Sequence, residues 1–167
     1  SAGLPESFPP RALAEAEKAA AERVILGMRR DFRNEPIVTI DGDDSRDFDD
    51  AVTLSRTEEG YFLGVHIADV SHYVRRGGDT DKEAYERGTS VYFPDRVLPM
   101  LPESLSNGAC SLNEGEDRYT LSCLIRLDGQ GRVLGSELVR GVICSCARMT
   151  YNKVNAILAG DTALREQ

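Results

Sequence analysis

A dense acidic segment that follows a short β-branched run constrains what this chain can fold into. Residues 37–40 read Ile-Val-Thr-Ile, which is typical of a buried strand. The ten residues from Asp41 to Asp50 contain six aspartates and one arginine, a net charge of −5 in a chain whose total is −8. Like charges in contact repel by about 1 kcal/mol in water and by several times more near a protein surface. The segment therefore predicts a bound cation that compensates the cluster.

Four of these aspartates, Asp41, Asp47, Asp49 and Asp50, are the candidate metal ligands. Asp41 ends the predicted strand, a position where sheets often place ligands. Gly42 then permits a tight departure from the strand, and two aspartates spaced two apart share a face of an extended segment. Carboxylate oxygens suit the hard cations Mg²⁺, Mn²⁺ and Ca²⁺, and among these we expect Mg²⁺, with Mn²⁺ as a substitute. Such ions can clamp the attacking and leaving oxygens of a phosphodiester hydrolysis.

The acidic segment also has features in common with other acidic sites. A calcium-binding EF-hand is excluded, because Ser45, Arg46 and Val52 occupy its fifth, sixth and twelfth positions. A phosphatase of the haloacid dehalogenase type would use Asp41 as its nucleophile, but it requires repeated βα units and a parallel sheet. The hairpins predicted downstream argue against that fold. A solvated acidic turn without any ligand stays open at this point.

The hydrophobic pattern predicts an α+β fold with a mixed, largely antiparallel sheet flanked by helices. Residues 1–10 are predicted as a linker, residues 11–35 as an amphipathic helix leading into the domain, and residues 36–167 as the domain itself. Thr80 with Glu83, and separately Thr150, are predicted helix caps. Strands are predicted at 37–40, 51–55, 61–70, 90–93, 119–127 and 133–146, with further helices at 81–87 and 147–160.

Composition limits the classes of partner. The net charge of −8 argues against a broad basic surface for nucleic acid, but it does not exclude a phosphate substrate bridged by metal. The four cysteines lack any Cys-x-x-Cys pair, so they do not predict a structural zinc site. Free thiols indicate a reducing compartment, hence a cytoplasmic location. No apolar run approaches the ~18 residues that span a membrane, so we expect no membrane partner.

Four blocks of sequence, in the same order, resemble the ribonuclease II/ribonuclease R (RNB) family of 3′-to-5′ exoribonucleases, and the ribonuclease R branch in particular. The blocks are 39–52 (TIDGDDSRDFDDAV), 66–74 (HIADVSHYV), 89–102 (TSVYFPDRVLPMLP) and 105–112 (LSNGACSL). The resemblance implies that Asp41, Asp47, Asp49 and Asp50 are the metal-binding aspartates. It also implies that Asp49 and Asp47 are catalytic, and that loss of Asp49 stops cleavage while RNA still binds.

The same resemblance implies the substrate and the partners. Tyr92 and Tyr151 match tyrosines that contact the terminal bases at the 3′ end of single-stranded RNA. The implied reaction is metal-dependent hydrolysis that releases nucleoside 5′-monophosphates. Family members carry cold-shock and S1 domains of the OB fold, and their catalytic domain is about twice as long as this chain. We therefore expect the N-terminal half of an RNB catalytic domain in a longer enzyme; the alternative is a catalytically silent interaction or scaffold module.

Overall fold

A computed structural model describes residues 6–165, so the first half of the predicted linker at 1–10 lies outside the described residues. The described part is an α+β fold built on one large sheet and one small hairpin. Its strands are β1 (Arg30–Asp31), β2 (Val38–Asp41), β3 (Asp50–Arg56), β4 (Gly60–Ala68), β5 (Val91–Tyr92), β6 (Val97–Leu98), β7 (Asp117–Asp128), β8 (Val133–Cys144) and β9 (Ala147–Thr150).

Helices flank the sheet, and none within residues 6–165 is long and apolar enough to cross a lipid bilayer. Between β6 and β7 the chain also forms a π-helical turn, Ser104–Ala109, where the sequence predicts at most a single turn of helix. The α-helices are α1 (Pro10–Ala20), α2 (Val70–Tyr73), α3 (Asp79–Arg87), α4 (Tyr151–Leu158) and α5 (Thr162–Arg165).

The large sheet has the strand order β1-β8-β7-β4-β3-β2-β9. The four inner pairings are antiparallel, whereas the edge strands β1 and β9 lie parallel to β8 and β2. The hairpin of β7 and β8 is the longest pairing and agrees with its predicted position. The expected mixed, largely antiparallel sheet flanked by helices is confirmed.

The core lies between one face of this sheet and the helical layer. Helix α1 packs against α3 and the π-helical turn, and its Ala16 belongs to the same buried cluster as Phe32, Ile37 and Ile143. The sheet face that it covers is unusually polar. His66, which is fully buried, shares a hydrogen bond of 2.8 Å with the hydroxyl of Ser122. This core-facing side of the sheet therefore depends on hydrogen bonding as well as on apolar contact.

The amphipathic helix predicted over residues 11–35 is wrong in its extent, since α1 ends at Ala20. The chain then turns, and the Ile25 N–H donates to the hydroxyl of Tyr119, 2.8 Å away. Gly27 has a φ of 54°, which interrupts the helix. Residues 30–31 instead form the edge strand β1 beside β8. Contacts with a distant hairpin therefore override the helical propensity of residues 21–31.

The helix predicted over 147–160 is wrong in its first turn. Residues 147–150 form β9, which pairs in parallel with β2 and places Thr150 opposite Asp41. Helix α4 begins one residue later, and the Thr150 hydroxyl accepts a hydrogen bond of 3.2 Å from the Lys153 N–H. The predicted cap at Thr150 is thus confirmed. The strand that precedes it was not predicted, because it is defined by its pairing with β2.

The predicted capping box of Thr80 and Glu83 does not form. Gly78 is the N-cap of α3, and Thr80 lies in the first turn with its hydroxyl donating to the Ala12 carbonyl at 3.2 Å. The free amides of that turn are instead satisfied by Glu15 of α1. A carboxylate from a neighbouring helix therefore replaces the local cap that the sequence suggested.

Candidate functional site

The acidic segment connects the end of β2 to the start of β3, two adjacent antiparallel strands. Asp41 is the last residue of β2 and Asp50 is the first residue of β3. Both ends of the segment therefore lie at the same edge of the sheet. We call residues 42–49 the acidic loop. This connection brings the aspartates predicted to share a cation into one region of the molecule.

Ser111 anchors the acidic loop to the rest of the protein. Phe48, which is only 6% exposed, donates its N–H to the Ser111 hydroxyl at 3.0 Å, and its carbonyl accepts from the Leu112 N–H at 2.9 Å. The Ser111 hydroxyl in turn donates to the Arg46 carbonyl at 3.0 Å. These buried bonds hold the acidic loop in one shape, which argues against a free solvated turn.

Arg148 of β9 fastens the other side of the acidic loop. Its Nη2 donates to the carbonyls of Asp43, Ser45 and Gly42 at 2.6, 3.2 and 3.5 Å. Its guanidinium also lies 5.1 Å from the centre of the Phe48 ring. The Nε–H of Arg148 is buried and has no hydrogen-bond partner within residues 6–165. One positive side chain thus gathers three main-chain carbonyls of the most acidic part of the chain.

The candidate aspartates act on one another electrostatically. Desolvation raises the pKa of Asp41, the carboxylates of Asp50 and Asp47 raise it further, and Arg148 opposes the shift. Desolvation likewise raises the pKa of Asp49, with added repulsion from Asp47, Asp50 and Asp41. The charges of Asp47 and Asp50 therefore act on both Asp41 and Asp49, which is consistent with the prediction of a shared cation.

The donor set fits a hard divalent cation. One carboxylate oxygen of Asp41, Oδ2, is buried and has no hydrogen-bond partner in the described part of the chain. An unpaired buried carboxylate oxygen is costly, and a cation would relieve both that cost and the repulsion among the aspartates. Within residues 6–165, no three His, Cys, Asp or Glu side chains are already gathered as metal ligands. In this part of the chain, the aspartates therefore lie close enough to influence one another but do not form a closed ligand group.

Tyr92 lies beside the acidic loop at the end of β5. Its hydroxyl donates to Asp47 Oδ2 at 2.6 Å, and this bond to a carboxylate raises the pKa of Tyr92 to about 12. The tyrosine is nevertheless 63% exposed. It lines a cleft of about 690 Å³ between the acidic loop and residues 103–107. The structure therefore joins one of the predicted RNA-binding residues directly to a predicted catalytic aspartate.

Tyr151 reaches the same edge of the sheet by another route. It is the first residue of α4 and follows Thr150, the residue paired with Asp41. Its side chain is 59% exposed. Its neighbour Asn152 donates from Nδ2 to Asp43 Oδ2 at 2.6 Å. The chain thus brings both predicted tyrosines to the edge where the aspartates lie.

Sequence reasoning missed three residues of this site: Ser111, Arg148 and Asn152. Arg148 and Asn152 fell inside the helix predicted at 147–160, so nothing pointed to a strand beside the acidic loop. Ser111 belongs to a block that supported the resemblance, but no local pattern showed that its hydroxyl supports Phe48. The parallel pairing of β9 with β2 is the signal that would have found Arg148, and it lies in the tertiary structure.

Comparison with known proteins decides the family. The RNB domain profile matches residues 29–167. The chain belongs to the RNB family. This RNB chain is 51% identical to "Ribonuclease R 1" of Lactococcus lactis over 170 residues, which cover 99% of the chain and 21% of that relative. The predicted resemblance to ribonuclease R is confirmed.

Solved structures agree with this assignment. The RNase R of Mycoplasma genitalium in complex with ribose-methylated single-stranded RNA superposes with a TM-score of 0.89 at 35% identity, covering 95% of this RNB chain and 25% of that chain. The same enzyme in complex with double-stranded RNA gives a TM-score of 0.82 at 36% identity, and the match covers 93% of this RNB chain and 28% of that chain. The chain thus spans about a quarter of those structures and about a fifth of its Lactococcus relative.

Proposed function

We propose that this chain forms the metal-binding part of a longer ribonuclease R-like enzyme. That enzyme hydrolyses RNA from the 3′ end and releases nucleoside 5′-monophosphates. The observation that supports this proposal most directly is the position of Asp41 and Asp50 at adjacent strand ends, with the buried, unpaired Oδ2 of Asp41 and the repulsion that Asp47 and Asp50 exert on Asp41 and Asp49. Membership of the RNB family supplies the class of reaction.

Mg²⁺, or Mn²⁺ in its place, would be held by the four aspartates, with the unpaired Oδ2 of Asp41 among the donors. A bound divalent cation supplies Lewis acidity and charge neutralisation at the scissile phosphate. Asp49 and Asp47 are the proposed catalytic residues. Arg148 and Ser111 hold the main chain of the acidic loop in place through bonds to its carbonyl groups.

Tyr92 and Tyr151 are the proposed contacts to the terminal bases of single-stranded RNA. Their rings are more than half exposed and flank the aspartates, which suits stacking on bases of any sequence. Each stacked base contributes about 1–3 kcal/mol in such sites. Because the hydroxyl of Tyr92 donates to Asp47, a base stacked on Tyr92 would lie next to a catalytic carboxylate.

The proposed enzyme needs more polypeptide than this chain, since the chain covers 21% of its Lactococcus relative. We infer that the remaining half of the RNB domain and OB-fold domains of the cold-shock and S1 types complete it. The four cysteines are free, which suits a reducing compartment and supports a cytoplasmic location. No structural observation favours the silent scaffold module over an active enzyme.

Asp49→Asn in the longer protein tests the proposal. We expect the rate of 3′-end trimming of a labelled single-stranded RNA to fall on the order of 100-fold, because the substitution removes a carboxylate from the proposed metal site. RNA binding, measured by fluorescence anisotropy, should stay within a factor of about two, because base stacking is untouched. Mass spectrometry of the products should show nucleoside 5′-monophosphates.

Glu58→Gln is the matched control. Glu58 loses the same charge, but it is exposed and lies in the turn between β3 and β4, at the opposite end of β3 from Asp50. Its trimming rate should equal that of the wild type. A wild-type protein that trims no RNA with Mg²⁺ or Mn²⁺ would overturn the proposed function, as would an Asp49→Asn variant as active as the control.

A further inference from the structure

The helices cover a face of the large sheet that mixes core residues such as Ala51, Ala68 and Leu124 with polar side chains. Thr53, His66, Thr120 and Ser122 point to the covered side, and all four are buried. The opposite side carries mainly Val, Leu and Ile. We call it the outer sheet face. It comprises Val52, Leu54, Leu63, Val65, Ile67, Leu121, Cys123, Ile125 and Leu138.

Strand register shows that these side chains form one continuous surface. Directly paired residues in antiparallel strands point to the same face. Leu63 of β4 lies between Leu54 of β3 and Ile125 of β7, so three strands contribute neighbouring aliphatic groups. The adjoining rows follow the same pattern, since Ile67 pairs with Leu121, Val65 pairs with Val52 and Cys123, and Cys123 pairs with Leu138.

The outer sheet face is open to solvent in this chain. Leu138 is 71% exposed and Leu54 is 59% exposed, while Ile67 and Leu121 are 46% and 47% exposed. Single exposed leucines are ordinary, but a contiguous aliphatic surface across β3, β4, β7 and β8 is not. Surfaces of this kind mark places where another surface docks.

Helix α4 also exposes apolar side chains to solvent. Its N-cap is well formed by Thr150, yet none of its side chains is buried. Leu158, at its end, is 75% exposed. Helices of globular proteins usually gain their stability by burying an apolar stripe. Leu158 of α4 and the exposed leucines and isoleucine of the outer sheet face therefore leave apolar area uncovered by residues 6–165.

We propose that the outer sheet face is the surface on which the rest of the RNB polypeptide docks, as an internal interface of the longer enzyme. In the solved Mycoplasma RNase R, the matching unit makes up 25% of the chain, so most of that polypeptide is available to cover it. A second copy of this chain is a poorer occupant, because each copy carries a net charge of −8 and two copies repel.

The inference concerns packing and goes beyond the proposed chemistry, so a readout of burial can test it without any measurement of activity. In the full-length protein, Leu138→Cys introduces a thiol at the most exposed position of the outer sheet face. Tyr85→Cys is the matched control, because Tyr85 lies on α3 and is 88% exposed. Maleimide labelling, mapped by peptide mass spectrometry, compares the two thiols in native buffer and in urea.

We expect the thiol at position 138 to be labelled only in urea, and the thiol at position 85 to be labelled at once in both conditions. Equal, rapid labelling of both positions in native buffer would overturn the proposal. Leu138→Asp and Tyr85→Asp provide a second test, in which only the first should lower the melting temperature. If light scattering shows dimers and protection at position 138 disappears on dilution, the occupant is a second copy and the proposal is wrong.

Discussion

Arg148 holds the acidic loop by its main-chain carbonyls and not by its carboxylates. This arrangement fixes the main chain of the acidic loop without using a carboxylate of Asp41, Asp47 or Asp49; Asp47 accepts its hydrogen bond from Tyr92 instead. Lysine could not substitute fully, since its single ammonium cannot reproduce the flat fork of a guanidinium. The Nε–H of Arg148, which is buried and has no hydrogen-bond partner within residues 6–165, is a cost of this arrangement.

Arg148→Met should weaken binding of Mn²⁺ roughly 10- to 100-fold, because residues that orient metal ligands typically contribute that much. The Mn²⁺ affinity of Arg148→Lys should lie between that of Arg148→Met and that of the wild type. Mn²⁺ titration followed by electron paramagnetic resonance measures the affinity directly. Arg33→Met is the control, since Arg33 forms exposed pairs with Asp31 and Asp117, neither of which belongs to the acidic loop. Guanidinium added at low concentration should partly restore the Mn²⁺ affinity of an Arg148→Ala variant. An Arg148→Met variant with the Mn²⁺ affinity of the wild type would contradict the role of Arg148 in holding the acidic loop.

His66 should make the protein sensitive to acid. Burial lowers the pKa of His66 to about 4, whereas the unfolded chain has the ordinary value of 6.5. The unfolded state therefore binds the proton first, so the stability present above pH 6.5 is lost as the pH falls towards 4. His66 alone should lower the free energy of unfolding by about 2 kcal/mol when the pH falls from 7.5 to 5.

Urea unfolding at these two pH values, compared with a His66→Gln variant, isolates the contribution of His66 because other groups titrate equally in both proteins. The variant should show a pH dependence smaller by that amount. Nuclear magnetic resonance of the imidazole provides a direct check, and a midpoint near 6.5 in the folded protein would contradict the prediction.

At the scale of elements, α1 and α3 depend on one another through Glu15. Its carboxylate accepts the N–H groups of Asp79 and Thr80 at 3.0 and 3.2 Å. Burial alone would raise the pKa of Glu15, but these two donors outweigh it and lower the pKa. The stabilisation is therefore present above the unfolded value of 4.5 and is lost as the pH falls through the lowered pKa.

Glu15→Ala should cost about 1 kcal/mol of unfolding free energy, the usual loss when a helix N-cap is removed. Urea denaturation at pH 7 measures it. Glu17→Ala, an exposed change on the same helix, should have almost no effect. If the two variants are equally stable, Glu15 does not act as a cap for α3.

At the scale of the whole molecule, the acidic loop concentrates charge in a chain that is already negative. The raised pKa values of Asp41 and Asp49 mean that the folded state disfavours their charged forms. Their contribution to stability therefore falls as the pH rises through those values, and at neutral pH it is a penalty. Such a loss of stability is common where side chains are arranged for function.

Divalent cations should remove that penalty. In a chelating buffer at pH 7, Asp41→Asn should melt a few degrees higher than the wild type, because one repelling charge is gone. Millimolar Mg²⁺ or Mn²⁺ should raise the melting temperature of the wild type more than that of the variant. Differential scanning calorimetry measures both, and a wild type that does not respond to either ion would contradict a metal site.

The sequence alone determined the features whose information lies within a few neighbouring residues. The strand before Asp41, the density of charge after it, the hairpin of β7 and β8 and the cap at Thr150 all follow from local pattern. The family was also readable, because its blocks are runs of adjacent residues.

Only the tertiary structure decided where α1 ends, that residues 147–150 are a strand, and which face of the sheet is buried. These outcomes depend on contacts between residues far apart in the chain. Arg148 reaches Asp43 across 105 positions, and Ile25 reaches Tyr119 across 94. Such contacts compete with local propensity and outweigh it when burial and hydrogen bonding are gained together, so local pattern could not reveal them.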